Sequence, residues 1–115
     1  MNYFDKQHDP MIDWSRVDPV ALGMLSTARE IAEVPFKITS TYRDPEHSIS
    51  VGGSLTDAHT ENPCTAFDIG CGDARTRFKI IKGLIAAGFK RIGINQYHVH
   101  VDNSKTHDQE VFWIE

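Results

Sequence analysis

The segment that most constrains this chain is residues 97–102, Tyr97-His98-Val99-His100-Val101-Asp102. Titratable and apolar side chains alternate along it with the two-residue period of a β-strand. On a strand, His98, His100 and Asp102 project from one face, and Tyr97, Val99 and Val101 from the other. Leaving such polar groups buried and unpaired would cost several kcal/mol. The polar face is therefore either wet or a binding surface.

The rest of the chain supplies helices and further strands. Asp18-Pro19 has the form of a helix start, an N-cap followed by proline in the first turn. Leu22, Leu25, Ala28, Ile31 and Ala32 follow at helical spacing, and Pro35 ends the run. Residues 36–40 alternate and read as a strand. Asp44-Pro45 repeats the cap signature for a short helix stopped by Gly52-Gly53. Residues 65–71 alternate again, with Phe67, Ile69 and Cys71 on one face and Ala66, Asp68 and Gly70 on the other. Asp73 caps a third helix, for which Phe78, Ile81, Leu84 and Ile85 form the expected apolar stripe and Gly88 the stop. Residues 91–95 and 97–102 read as a tightly connected strand pair, and residues 111–114 as a closing strand. This mixture predicts an α+β fold.

Length and composition bound the class. The chain has 115 residues, 40% hydrophobic and 24% charged, which suits one globular domain. Residues 1–16 are polar with scattered aromatics and read as an N-terminal arm, leaving 17–115 as the domain. A net charge of −4 without a basic run argues against a nucleic-acid footprint. No apolar stretch approaches the ~20 residues of a membrane span. The first six residues, Met1 to Lys6, lack the apolar segment of a signal peptide, so the expected location is the cytoplasm until something releases the protein. A monomer is favoured. Cys64 and Cys71 are too few for a disulfide scaffold and read as free or buried thiols, with a bridge between them as the alternative that spacing alone does not decide.

The chemistry concentrates in three places. The first is the polar face of residues 97–102. The second is His59, delivered by a polar loop, followed by Asp68 on the strand face opposite Phe67 and Ile69. Two histidines and one carboxylate are the donor set of a catalytic zinc site, which keeps a fourth position open. His59, Asp68 and His100 are therefore metal-ligand candidates, with solvated surface residues as the alternative. The pattern His-Glu-x-x-His is absent, so a helix-borne metalloprotease site is excluded. The third place is Arg43, at the end of the first strand. It is placed to fork onto a carboxylate or carbonyl oxygen, or to pair with Asp44 or Glu46 on the surface. His8, His47 and His107 read as surface residues, with His47 near enough to Arg43 to consider for a cleft.

Several segments in order carry a family resemblance: Ser40-Thr41-Tyr42-Arg43-Asp44-Pro45-Glu46-His47, Val51-Gly52-Gly53, His59 with Ala66-x-Asp68, Gly88-Phe89 with Ile92-Gly93, and His100-Val101-Asp102. Over roughly residues 36–103 the chain resembles the zinc D-Ala-D-Ala carboxypeptidase / L-alanyl-D-glutamate endopeptidase group, which shares its fold with the hedgehog signalling domain. The resemblance implies a small antiparallel sheet carrying zinc, with helices packed on one side. It implies His59, Asp68 and His100 as Zn2+ ligands, and Arg43 as the group that holds or polarises the substrate carbonyl. The implied substrate is a peptidoglycan stem peptide, and the short length resembles phage or prophage lytic enzymes.

The sequence departs from that pattern at three points. Asp57 stands where a serine is usual two residues before the first histidine, and the gap from His59 to Asp68 is about two residues longer, with Asn62-Pro63-Cys64 in the added length. Tyr97 occupies the place of an acidic general base three residues before the last histidine, and a phenol with a pKa near ~10 is a poor base at neutral pH. The proton-transfer candidates are His98, whose imidazole suits neutral operation, and Asp102, which serves alternatively to orient a zinc histidine. The rivals to a peptidase are a zinc-bearing binding module without catalysis and a phage structural component.

Overall fold

The computed structural model describes residues 2–52 and 57–115. Gly53 of the expected Gly52-Gly53 helix stop lies outside them. Among the described residues three α-helices form: α1 (Pro19–Ala32), α2 (Pro45–Ser50) and α3 (Ala74–Ala86). Each begins where an aspartate can cap it. Asp18 accepts from Ala21 N, Asp44 from His47 N and Asp73 from Thr76 N, satisfying amides that a helix start leaves orphaned. α1 ends at Glu33, which adopts the left-handed region at φ 57°, before Pro35. α3 is followed by Gly88 at φ 101°, a turn that glycine makes without steric cost.

The strands are β1 (Lys37–Ser40), β2 (Ala66–Gly70), β3 (Arg91–Ile94), β4 (His98–Asp102) and β5 (Val111–Ile114). They form one sheet in the order β1-β2-β4-β3-β5. The pairs β1–β2, β2–β4 and β3–β4 are antiparallel. β5 adds a parallel pair to β3, so the sheet is mixed, with an antiparallel heart. The connection from β4 returns the chain to the far side of β3, where β5 runs parallel to it.

The expected alternation holds in β2 and β4. Phe67, Ile69, Val99 and Val101 are completely buried and join the main core with Leu25, Ile80 and Leu84 from the helices. α1 contributes Ala21, Leu25, Ala28 and Ala32 to that core, while Ile31 remains 40% exposed. In α3 the buried side is Ile80, Gly83 and Leu84, whereas Phe78 and Ile85 are more than half exposed. The expected stripe was thus rotated around the helix. Gly83 explains the phase: a Cβ there would lie 2.5 Å from the Ala28 carbonyl oxygen, so α3 approaches α1 through its glycine. Residues before α1 also pack inward. Phe4 is buried against the Trp14 and Phe36 rings.

A smaller cluster of Ala58, Cys64 and Ala66 sits beside Tyr42, next to a 3-10 turn at Ala58–Thr60. Cys64 and Cys71 are both buried free thiols, and burial raises the Cys64 pKa. The longer stretch between His59 and Asp68 is tied to the start of α1, since Cys64 N donates to Arg16 O and Asp18 N to Cys64 O.

Candidate metal centre and its cleft

The face of the sheet opposite the helices carries the site. In the β2–β4 register Asp68 stands directly across from His100. Both side chains therefore leave the same face, and His100 Nδ1 lies 3.1 Å from Asp68 Oδ1. His59 arrives from outside the sheet, on the turn Ala58–Thr60. That turn is clamped to the end of β1 in both directions: Arg43 N donates to His59 O at 2.9 Å, and His59 Nδ1 donates to Thr41 O at 2.7 Å. The second bond fixes the tautomer and turns Nε2 inward, 3.3 Å from Asp68 Oδ1.

Three donor atoms converge as a result. One ligand atom each from His59, Asp68 and His100 lies within 4.8 Å of the others. Among the described residues His59 Nε2 is buried and makes no hydrogen bond. A buried imidazole nitrogen with an available lone pair, facing a carboxylate oxygen, fits a cation placed between them. The opposite nitrogen of each imidazole is already held, by Thr41 O for His59 and by Asp102 Oδ2 at 2.7 Å for His100. Such outer partners set the orientation of metal-binding imidazoles.

Electrostatics tell the same story for the metal-free chain. Burial alone would lower the His100 pKa, but the Asp102 and Asp68 carboxylates outweigh it and raise it to about 9. Burial alone would raise the Asp68 carboxyl, but the adjacent His100 and His59 imidazoles hold it far below the usual range. Asp102 is fully buried, and it accepts from His100 Nε2, from Arg91 Nε at 2.7 Å and from Ser104 N at 3.0 Å. Burial works against its ionisation, yet these donors keep its pKa low.

The cluster opens into a cleft of about 470 Å³. Arg43 lines it, and among the described residues its buried Nε has no hydrogen-bond partner and the side chain forms no ion pair with Asp44 or Glu46. His98 lines it too, with Nε2 4.0 Å from Asp68 Oδ1 and its side chain 26% exposed. Of the predicted residues, His59, Asp68 and His100 come together, Arg43 and His98 flank them, and Asp102 sits behind His100. Asp57 also lines the cleft, where Ser48 Oγ donates to its carboxylate. Tyr97 precedes β4 and is 71% exposed, away from the cluster. His8 and His47 lie on the surface as expected, but His107 reaches the cleft, hydrogen-bonded with Ser104 Oγ at 2.8 Å.

Sequence reasoning missed Trp113 and Glu115. The Trp113 indole lies 5.4 Å from the His100 ring and 5.0 Å from the Arg91 guanidinium. It fits because residue 93 is glycine, since a Cβ there would come within 2.5 Å of the indole. Glu115 Oε1 lies 2.8 Å from His98 Nε2. The two-residue step from 113 to 115 along a strand was the available signal, though only pairing with β3 brings that face to the cleft.

A sheet and an adjoining turn that together present two imidazoles and a carboxylate to an open polar cleft have the donor set of a metal-dependent hydrolase. Residues 5–102 match the sequence model of the family described as Peptidase M15, and the chain belongs to that family of metallopeptidases. No curated protein and no solved structure matches the chain.

Proposed function

We propose that this protein is a zinc peptidase that hydrolyses an amide bond of peptidoglycan stem peptides, of the D-Ala-D-Ala carboxypeptidase or L-Ala-D-Glu endopeptidase type. The observation that carries the reading is the convergence of His59 Nε2, Asp68 Oδ1 and His100 Nδ1 beside Arg43, whose Nε has no partner among the described residues. Those three atoms would hold zinc, which would supply Lewis acidity toward the scissile carbonyl and toward water.

The chain's own residues do the rest. Arg43 binds a carboxylate or the scissile carbonyl oxygen of the substrate, a task suited to its planar fork of donors. Stem peptides offer both groups. His98 takes the proton released by the attacking water and delivers it to the leaving amine nitrogen. Asp102 holds His100 through Nε2, a reading supported by its three donors and its full burial. In this reading the protein is a lytic enzyme of the phage or prophage kind, acting on the cell wall after release.

The test is digestion of purified muropeptides followed by mass spectrometry, with zinc, with a chelator and with zinc restored. The expected result is a defined product mass that vanishes on chelation and returns with the ion. Zinc bound at one per chain with no new amine released would replace the peptidase by a binding module.

A further inference from the structure

Glu115 lies beyond the segment matched by the family, and β5 brings it to the cleft. The parallel register aligns Ile94 with Ile114, and Glu115 N donates to Ile94 O at 2.8 Å. That bond fixes the backbone from which the carboxylate extends. Both oxygens then find a donor: Oε1 lies 2.8 Å from His98 Nε2, and Oε2 accepts from Trp113 Nε1 at 3.2 Å.

The brace is itself packed on three sides. Trp113 is pressed onto Gly93, stacked beneath Arg91 and tilted against His100. On the other side, Asn95 Nδ2 stands 3.4 Å from both nitrogens of the His98 ring. Equal distances to both nitrogens place that amide over the ring face. Among the described residues, Glu115 Oε1 is therefore the acceptor within hydrogen-bond distance of Nε2, with Asp68 Oδ1 next at 4.0 Å.

We infer that Glu115, braced by Trp113, is a positioning residue that holds the His98 ring beside the metal-ligand cluster by accepting from its Nε2–H, which leaves Nδ1 as the nitrogen that takes up a proton. Its kinetic consequence rests on the peptidase reading above; the placement of the ring does not. Misplacing a proton-transfer group by about 1 Å costs on the order of 10²-fold in rate, so a freed ring would slow turnover while leaving substrate binding alone.

The test pairs Glu115→Ala with Glu115→Gln, which keeps an oxygen acceptor within reach of Nε2. In muropeptide hydrolysis Glu115→Ala should lower kcat by roughly 10- to 100-fold with KM, zinc stoichiometry and melting temperature unchanged, and Glu115→Gln should recover most of the loss. The second readout needs no catalysis. Long-range ¹H–¹⁵N correlation spectra of the metal-free protein, at a pH where the ring is neutral, should show His98 as a single Nε2–H tautomer, and Glu115→Ala should show a mixture. Wild-type kcat in Glu115→Ala, or a tautomer signal that does not respond to the substitution, would overturn the assignment. A zinc-loaded wild type that releases no product would sink the peptidase reading, while the ring signals would still decide where His98 is held.

Discussion

Removing the metal should leave a protein whose stability falls as the pH rises, because His100 then carries a proton where the ion would sit. Its pKa is raised to about 9 from an unfolded value of 6.5. A raised value means that the folded state binds the proton more tightly. The associated stability is fully present below pH ~6.5 and is lost as pH rises through about 9. The gap between those values is equivalent to about 3 kcal/mol. For a domain of this size that is roughly 10–15 °C in melting temperature. Asp68 behaves oppositely. Its carboxyl is held low, so its contribution is present above the ordinary carboxylate range near pH ~4 and is lost on acidification. The chelated protein should therefore be most stable between pH ~4 and ~6.5. Zinc reverses the upper limb, since it takes the place of the proton and binds more tightly as that proton leaves. Urea denaturation in chelator at pH 5.5, 7.5 and 9.5, repeated with saturating zinc, measures both limbs. His100→Gln should flatten the chelated curve. A metal-free wild type that is equally stable at all three values, or more stable at 9.5, would refute the reasoning.

Three further outcomes follow from the same geometry. His100→Ala should abolish zinc binding and hydrolysis together, whereas His98→Ala should retain zinc and lose about 10²–10⁴ in turnover; metal analysis alongside kinetics separates them, and full activity in His98→Ala would remove its role. Asp102→Asn should weaken zinc binding roughly 10- to 100-fold in a competitive chelator titration, because the His100 imidazole loses its charged acceptor. Gly83→Ala should cost about 1–3 kcal/mol in denaturation without changing zinc affinity, since its Cβ meets the Ala28 carbonyl far from the cleft.

The parts of this molecule that local chemistry dictates were legible in the chain. Asp18, Asp44 and Asp73 announced three helix starts, and the alternation through His98 to Asp102 announced a strand with a polar face. His59, Asp68 and His100 were legible as candidates because each combined a metal-binding atom with a place off the core. What remained hidden depends on contacts between distant segments. The phase of α3 was misread because Gly83, which carries no hydrophobic signal, is the residue that meets α1. His107 gave no local sign of reaching the cleft, and the alternation that joins Glu115 to Trp113 did not say where that face would point, since the loop after Asp102 and the pairing of β5 with β3 bring them there. Asp102 shared a face with His98 and His100, but the sequence did not show that Arg91 and Ser104 would enclose it.

Asp68 and His100 occupy one rung of an antiparallel ladder. Their separation is thus set by backbone pairing. A slip of a single residue between β2 and β4 would turn the polar edge of one strand toward the helices. A slip of two would keep the faces but bring Asp68 opposite His98 or Asp102. Folding to the correct alignment and assembling the ion-binding pair are therefore one event, and a chain that mispairs these strands would carry every necessary residue while lacking the centre they form.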